Sequence, residues 1–346
     1  MSIGEILAKR AATIYTVADH AGVSIATVSR VERGLPSVAG ATASRVKASM
    51  RTVGYRPNGA ARALATRHHE AIGLVFPHLS GPYYAGVILG LEEAASALGQ
   101  NLFIVGTHGR GRAEQLVSDL SRRVDGLVVM GRTVPDEAIA RLQRSGLPLV
   151  LLARRAVGSS DVVRTENRVN AAALTRHLLE HGHRRLAFVG DPSSSPDAAE
   201  RWEGFVAAHW DRGLPKPERP VVSAFREVDG RAAVLDLLDA ESRPTALFCA
   251  NDEIAMGAYG AAAERHVSIP ADLAVTGWDD IPVARFLAPA LTTVRQPLEE
   301  IGALAARLVV ERAAGSRTKA VSTVLPTEIQ IRSSCGCQSQ GGTWQR

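Results

Sequence analysis

Side chains suited to reading DNA bases recur within a short stretch near the N-terminus. Ile25, Ala26, Ser29, Arg30 and Arg33 have the spacing of residues on the outward side of one predicted helix. Apolar side chains can contact thymine methyl groups, and an arginine can donate two hydrogen bonds to O6 and N7 of guanine. The pattern therefore predicts base contacts from Ile25, Ala26 and Arg30.

Hydroxyl groups on and beside this helix suit contacts with the DNA backbone. Ser24, Thr27 and Ser29 are placed to meet phosphate oxygens, which orient a protein on the duplex but carry no sequence information. Tyr15, in the preceding predicted helix, completes the set of residues that we expect to contact DNA here.

The elements that position these residues are two short helices joined by a tight turn. Thr13 and Ser24 are suitable N-caps, and Gly22 can adopt the left-handed conformation that the turn needs. Val17 and Ala21 lie four residues apart and mark one apolar face. The pattern is typical of a helix-turn-helix, whose second helix enters the major groove. A helical hairpin that only packs against another surface is the alternative.

Positive charge is concentrated in the same region. Residues 1–67 hold ten Lys and Arg against three acids, a net charge of +7, whereas the whole chain carries +5. The remaining residues are therefore slightly acidic, at −2. This distribution predicts a polyanionic partner for the N-terminal region alone, with a solvated basic surface as the simpler alternative.

The rest of the chain alternates between apolar runs and stretches long enough for amphipathic helices. The runs are Ala71–Phe76, Leu102–Val105, Gly126–Met130, Leu147–Leu152, Leu186–Val189, Ala246–Cys249 and Leu273–Thr276. This alternation predicts parallel sheets covered by helices. About 260 residues are many for one such sheet, so we expect two α/β lobes.

Composition excludes several classes of protein. Apolar residues make up 46% and charged residues 22% of the 346 residues, which is typical of a globular chain. No apolar run reaches the roughly 18 residues of a membrane span, and the N-terminus lacks a secretory pattern. We therefore expect a cytoplasmic protein without a membrane partner.

Neither catalysis nor a bound metal is expected from the motifs. The chain shows no persuasive nucleophile–base set, and its glycines do not form a dinucleotide-binding fingerprint. His181-Gly-His183 is interpreted as the end of a helix and not as a zinc pair. Cys335 and Cys337 lie in a polar tail, where metal binding is a weak hypothesis. We expect no cofactor, no metal ligands and no enzyme activity.

Four motifs in the N-terminal region occur in a specific order. They are Thr13-Ile14 through Val17-Ala18, Ala21-Gly-Val-Ser24, Ala26-Thr-Val-Ser-Arg30 and Gly54-Tyr-Arg-Pro-Asn58. Together they resemble the lac repressor family of bacterial transcription regulators, and the similarity continues to about residue 334. The resemblance implies a small all-α helix-turn-helix headpiece and a two-lobed α/β core like that of periplasmic binding proteins.

The resemblance also implies where the chain divides. The segments are a headpiece at 1–57, a hinge helix and linker at 58–69, an effector-binding and dimerisation core at 70–334, and a flexible tail at 335–346. Lobe 1 of the core would hold about 70–168 and 297–325, and lobe 2 about 169–296 and 326–334.

Residues 58–65 resemble the family's hinge helix, with Asn58 as its N-cap. Eight residues are too few for a stable isolated helix, so this one is expected to fold when two copies pack on DNA. Leu64 matches the leucine that the family inserts into the minor groove, where an apolar wedge kinks the duplex. A plain linker is the alternative.

Four positions depart from the family pattern. Thr16 replaces an acid that completes the first helix cap, and Glu32 replaces an apolar residue. Ala39 and Ala43 replace a serine and an arginine near the third helix, which should remove phosphate contacts. None of these changes alters the predicted fold.

The resemblance places an effector site in the cleft between the lobes. The matching residues are Tyr83, Tyr84, Arg201, Phe225, Asn251 and Asp279. Arginine, amide and carboxylate groups beside aromatic rings suit a polyhydroxylated ring, and they would also suit a nucleobase. Arg201 could instead form a surface ion pair with Glu200 or Glu203.

The combined prediction is a homodimeric transcription regulator, most simply a repressor, controlled by a small molecule. Two headpieces would bind a near-palindromic operator in double-stranded DNA. A sugar is the first expectation for the effector, and a nucleoside or nucleobase is the second. The absence of a C-terminal heptad repeat predicts a dimer and not a tetramer. A solute-binding protein with no DNA role, or an α/β enzyme, are the alternatives.

Overall fold

The computed structural model describes residues 12–56, 68–77, 81–107, 111–131, 133–217 and 219–337. The chain separates into two compact units, residues 1–69 and 70–346. The predicted hinge residues Asn58 and Leu64 lie outside the described residues. Within the described residues, no helix is both long and apolar enough to span a bilayer.

The headpiece contains three helices: α1 (Ile14–Ala21), α2 (Ile25–Glu32) and α3 (Gly40–Thr52). They enclose a small apolar core formed by Val17, Ala18, Ala21, Val28, Val31 and Val46. Residues 12–56 contain no strand, so the predicted all-α class of the headpiece is confirmed.

Local hydrogen bonds explain why the first two helices begin and end where they do. Thr13 Oγ1 accepts a hydrogen bond from Thr16 N at 3.4 Å, and Thr16 Oγ1 accepts one from Thr13 N at 3.3 Å. This reciprocal capping box shows that Thr16 serves in place of the missing acid. Gly22 ends α1 with a φ of 62°, the left-handed conformation that the turn requires.

Lobe 1 is built on a six-stranded parallel sheet with the order β10-β5-β4-β3-β1-β2. Its strands are β1 (Ala71–Phe76), β2 (Asn101–Gly106), β3 (Gly126–Met130), β4 (Leu149–Leu152), β5 (Asp161–Thr165) and β10 (Ser322–Leu325). The covering helices are α4 (Pro82–Ala97), α5 (Ala113–Ser121), α6 (Asp136–Arg144) and α11 (Leu298–Ala313). Two apolar clusters fill the two faces of this sheet.

Lobe 2 is built on a three-stranded parallel sheet with the order β6-β7-β8 and an antiparallel pair, β11-β9. Its strands are β6 (Leu186–Val189), β7 (Ala246–Cys249), β8 (Ala274–Thr276), β9 (Thr293–Arg295) and β11 (Glu328–Gln330). Its helices are α7 (Arg168–Glu180), α8 (Pro196–Asp211), α9 (Glu227–Asp239), α10 (Asp252–Glu264) and a 3-10 turn at Pro282–Arg285.

The chain crosses between the lobes three times. It leaves lobe 1 after β5, returns after β9 and crosses again between β10 and β11. The crossings bring Thr165 and Gln296 together, and Thr165 Oγ1 donates a hydrogen bond of 2.7 Å to Gln296 Oε1. The carboxyl ends of the strands in both lobes therefore lie beside the crossings, where open α/β folds bind ligands.

The prediction of a flexible tail at 335–346 is wrong for its first residues. Cys335 is buried with 1% of its surface exposed. Val275 N donates a hydrogen bond of 2.9 Å to Ser334 O, and Ser334 Oγ donates one of 2.6 Å to Val275 O. These bonds hold the segment beside β8, so the packed part of lobe 2 extends at least to residue 337.

Candidate DNA-binding surface and interlobe effector site

Helix α2 presents the side chains predicted to read bases. Val28 and Val31 are buried in the headpiece core, and they fix which side of the helix faces outward. Ile25 is 40% exposed, and Ala26 and Arg30 are also exposed. The structure therefore brings the three predicted base-contacting residues together on one accessible surface.

The hydroxyl groups around α2 have a structural role as well. Ser24 Oγ accepts a hydrogen bond from Thr27 N at 3.2 Å and lies 3.0 Å from Thr27 Oγ1, so these residues form the helix cap. Ser29 is half-buried and Tyr15 is 65% exposed. A phosphate at this helix N-terminus would meet free backbone N–H groups beside the capping hydroxyls.

The cations of the headpiece keep their charge available. Within residues 12–56, no Lys or Arg forms an ion pair with an acid. Arg45 Nε donates to Ala21 O at 3.0 Å, and Arg33 Nε donates to Ser29 O at 3.3 Å, which orients both side chains without neutralising them. The acid at the unusual position, Glu32, accepts a hydrogen bond from Tyr55 O–H at 3.4 Å.

In the α/β unit, the residues predicted to hold the effector are grouped around a buried arginine. Arg201, on α8, is only 4% exposed. Its Nε donates to Asn167 Oδ1 at 2.7 Å and its Nη1 donates to Ala250 O at 2.6 Å. The guanidinium carbon lies 4.6 Å from the centroid of the Trp278 ring. Arg201 is therefore held rigidly by lobe 2 and is not a surface ion pair.

Asp279 lies beside this arginine in a strained turn. It is buried and has a φ of 120°, a backbone conformation that residues with a Cβ rarely adopt. Gln296 Nε2 donates a hydrogen bond of 2.6 Å to Asp279 Oδ1. Burial raises the pKa of Asp279 to about 7, although Arg201 and the Gln296 bond act to lower it. Asp279 can therefore change its protonation state near neutral pH.

Two buried polar atoms near Arg201 have no hydrogen-bond partner among the described residues. They are Asp197 Oδ1 and Trp278 Nε1. Burial raises the pKa of Asp197, and the charge of Arg201 opposes that shift. A buried polar group without a partner costs about 1–3 kcal/mol. An unpartnered acceptor and an unpartnered donor near one arginine favour a polar ligand.

Tyr83 and Tyr84, at the start of α4, add two lobe 1 side chains to the polar residues around Arg201. Their rings contact each other edge to face, with centroids 5.4 Å apart. The pKa of Tyr83 is raised by burial first and then by the charges of Asp197 and Asp279, so its phenol lies near both carboxylates. Burial raises the pKa of Tyr84 to about 12, and both phenols stay protonated as hydrogen-bond donors.

Phe225 and Asn251 are placed differently from the other predicted contacts. Asn251 caps α10, because its Oδ1 accepts a hydrogen bond from Ile254 N at 2.9 Å. Its Nδ2 donates to Phe225 O at 3.0 Å. The Phe225 ring packs partly buried against the lobe 2 core. Asn251 therefore uses its amide to position the Phe225 loop.

Neighbouring charged residues have structural partners. Asp280 lies between two arginines, with Arg295 Nε at 2.9 Å and Arg332 Nη2 at 2.5 Å. Glu200 pairs with Arg164 at 2.7 Å. These ion pairs hold the turn after β8 in place and join α8 to β5.

A cavity of about 520 Å³ lies between the lobes, near the ends of β3 and β4. It is lined by Thr133, Val134, Pro135, Asp136, Glu137, Arg154, Arg155 and Pro196. Arg154 is held by Gly131 O at 3.0 Å and Val134 O at 2.8 Å. Ligand pockets for small molecules have roughly this volume.

Sequence reasoning missed three residues of this group: Asp197, Trp278 and Gln296. Asp197 follows Ser193–Pro196, a patch whose position after a strand indicated a ligand-binding loop. Trp278 lies within the turn that supplies Asp279. Gln296 carried no signal in the sequence, because its role depends on the crossing of the lobes.

The comparison with known proteins agrees with this architecture. Residues 13–58 match the model of bacterial regulatory proteins of the lacI family, and residues 175–335 match a periplasmic binding protein-like domain. The chain is 32% identical to catabolite control protein A of Priestia megaterium over 327 residues, covering 93% of this chain and 98% of that protein.

Two further similarities concern a repressor and a ligand complex. The chain is 33% identical to the HTH-type transcriptional repressor PurR of Photorhabdus laumondii over 330 residues, covering 93% of this chain and 96% of that protein. It resembles the transcriptional regulator CelR–cellobiose complex with a TM-score of 0.72 and 31% identity, covering 93% and 99% of the two chains. The chain belongs to the lacI family of bacterial regulatory proteins. It is a DNA-binding transcription regulator and not an enzyme.

Proposed function

We propose that this regulator binds its operator through α2 and is controlled by a small polyhydroxylated molecule, a sugar, held between the two lobes. The observation that carries the effector site is the pair of buried, unpartnered atoms, Asp197 Oδ1 and Trp278 Nε1, beside Arg201. Hydroxyl groups of a sugar can donate to the first atom and accept from the second, which recovers the cost of their burial.

The remaining groups suit the same ligand. Arg201 and Asp279 supply hydrogen-bonding groups, and Tyr83 and Phe225 supply aromatic surfaces for the apolar faces of a sugar ring. The solved CelR complex holds cellobiose, which supports a sugar as the ligand class. In our proposal Asn251 contributes indirectly, by holding the loop that carries Phe225.

The DNA-binding role assigns a part to each exposed residue of the headpiece. Ile25, Ala26 and Arg30 contact bases, and the residues that contact the backbone are Tyr15, Ser24, Thr27 and Ser29. The regulator acts as a homodimer on a near-palindromic operator, as is typical of the family. Asn58 begins the hinge helix and Leu64 enters the minor groove in this proposal. Such a regulator works in the cytoplasm, where the chromosome lies.

Control by the effector follows from the position of its site. Residues from both lobes surround Arg201, so a bound ring stabilises one relative arrangement of the lobes over another. The effector can shift DNA affinity by no more than the difference between its affinities for the two arrangements.

A nucleoside or nucleobase is the second candidate ligand. The pKa of Asp279 lies near neutrality, so its carboxyl can accept from a base edge or donate to one. The rings of Tyr83 and Phe225 would suit stacking on a planar heterocycle.

The test is a thermal-shift screen of the full chain against sugars and nucleosides. We expect at least one sugar to raise Tm in proportion to the logarithm of its concentration, because a ligand of the native state stabilises it. The same sugar should have no effect on Asp197→Asn combined with Trp278→Phe. An equal Tm rise in this double variant would contradict the site, and a response to nucleosides alone would favour the second candidate.

A further inference from the structure

Two histidines and two cysteines meet where the C-terminal segment lies against α7. His177 is in the last turn of α7 and His181 follows its end, and their ring centroids are 4.5 Å apart. Cys337 Sγ is 3.1 Å from His181 Nε2 and 3.5 Å from His177 Nε2. Cys335 Sγ is 3.3 Å from His177 Nε2. Imidazole and thiolate ligands in this number are typical of zinc sites.

The distances are close to those that a tetrahedral zinc ion requires. Bond lengths of about 2.3 Å to sulfur and about 2.0–2.1 Å to nitrogen give a sulfur–nitrogen separation of roughly 3.5 Å at the tetrahedral angle. The ligand atoms of His177, His181 and Cys337 all lie within 4.8 Å of one another. Small rotations would bring these three atoms into one coordination shell. Cys335 lies outside that group of three, but its Sγ is 3.3 Å from His177 Nε2, which makes it the nearest candidate for a fourth ligand.

Hydrogen bonds from Thr292 hold Cys335 in place independently of any ion. Thr292 N donates a hydrogen bond of 2.8 Å to Ser334 Oγ, next to the first cysteine. Thr292 Oγ1 donates one of 3.2 Å to Cys335 Sγ. A hydroxyl directed at a thiolate is the kind of outer contact that orients metal ligands. Cys335 also packs against Leu178 of α7 in a small apolar cluster.

The neighbouring histidine shows that the grouping is selective. His183 lies two residues after His181, but its Nδ1 is 3.1 Å from Thr245 Oγ1, on another side of the segment. His181 and His183, interpreted from the sequence as a helix end and not as a zinc pair, therefore lie in two different environments. The partners of His181 are instead His177, one helical turn earlier, and Cys337, in the C-terminal segment.

We propose that His177, His181, Cys335 and Cys337 bind a structural Zn²⁺ ion. The ion would join the C-terminal segment to α7 within lobe 2 and close a loop that includes most of that lobe. Zinc that binds only the folded arrangement adds its binding free energy to the stability of the lobe. The proposal is independent of the effector and of DNA binding.

The test measures zinc in the full chain after purification under reducing conditions and dialysis. We expect about one zinc ion per chain, as a closed four-ligand site would hold. Removal of zinc with a chelator should lower Tm, and added Zn²⁺ should restore it. Co²⁺ in place of Zn²⁺ should give the visible absorption bands of tetrahedral thiolate coordination.

Variants separate this site from adventitious binding. Cys337→Ser and His181→Asn change exposed or half-buried side chains and should each abolish zinc retention and the Tm response. His183→Asn is the matched control and should retain both. A wild-type chain that takes up no zinc contradicts the proposal, as does equal zinc content in wild type and Cys337→Ser. A Cys335–Cys337 disulfide in zinc-free protein purified under reducing conditions would also contradict it.

Discussion

The headpiece and the interlobe cleft use charged residues in opposite ways. In the headpiece, Arg30 is exposed and makes no ion pair within residues 12–56, on a core of only six buried side chains. In the cleft, Arg201, Asp197 and Asp279 are buried, and the pKa of each carboxyl is raised by burial. The first arrangement favours a polyanion whose binding weakens with salt, and the second favours a small, largely uncharged ligand.

The largest expected effect lies in the cleft. Arg201→Ala removes a buried guanidinium and should weaken effector binding by about 3 kcal/mol, roughly 100-fold, because bonds to charged groups are strong. DNA affinity without effector should stay unchanged. Isothermal titration with the sugar that raises Tm measures the first quantity, and fluorescence anisotropy with DNA measures the second.

The control for this variant is Arg226→Ala, which breaks an exposed ion pair with Asp229 on the same lobe. That pair should contribute little to binding or stability. Equal effector affinity in wild type and Arg201→Ala would show that the ligand binds elsewhere. The buried charges of the cleft would then have no binding role to set against the exposed cations of the headpiece.

The next effect concerns pH and the stability of the core. The folded pKa of Asp279 is about 7, above its usual value of 3.8, so between these values the folded chain holds a proton that the unfolded chain has lost. Stability contributed by this group is therefore present at low pH and falls as pH rises towards 7. Between pH 5 and pH 7, the free energy of unfolding of Asp279→Asn should fall by about 2–3 kcal/mol less than that of wild type.

Chemical denaturation of wild type and Asp279→Asn at several pH values measures this difference. Because Asp197 and Asp252 also have raised pKa values, the wild-type slope contains their contributions, and only the difference between the two chains reports on Asp279. If the free energy of unfolding depended on pH equally in the two proteins, Asp279 would not be a buried, protonated carboxyl in the folded chain.

A smaller effect is expected on base recognition. Arg30→Ala should weaken binding to the specific operator by about 1–3 kcal/mol and leave binding to random duplex DNA almost unchanged. Competition binding at one salt concentration compares the two affinities. Arg144→Ala, an exposed change on α6 of lobe 1, is the control. Equal losses on both DNAs would assign Arg30 to the phosphates.

The smallest effect is local to α1. Thr13→Ala removes the hydroxyl that accepts from Thr16 N and should destabilise the helix by about 1 kcal/mol. Hydrogen exchange of the amides in α1 should then become roughly five-fold faster, while exchange in lobe 2 stays the same. Unchanged exchange in α1 would mean that the capping box contributes nothing.

Strands with continuous apolar runs were the most predictable parts of the fold. Ala71–Phe76 and Ala246–Cys249 have the predicted bounds, because both are buried central strands in which every side chain is apolar or small. Asp161–Thr165 and Thr293–Arg295 were not predicted as strands, because charged or polar residues interrupt their short apolar runs.

Site residues were predictable only where a family motif or a local pattern marked them. Arg201 and Asp279 carried such a motif, whereas Asp197 follows a proline at a helix start, where an acid is ordinary. The histidine–cysteine cluster was missed, because His181 and Cys337 lie 156 residues apart and no local spacing connects them. Tertiary proximity of this kind is not encoded in any short pattern.

The measurement that tests the central claim most directly is the affinity of the full chain for DNA fragments from its own genome, with and without the sugar that raises Tm. We predict that at least one fragment binds far more tightly than random DNA, and that the sugar changes this affinity in wild type but not in Arg201→Ala. Retention of no fragment at low ionic strength, or an affinity that the sugar leaves unchanged, would contradict an effector-controlled regulator.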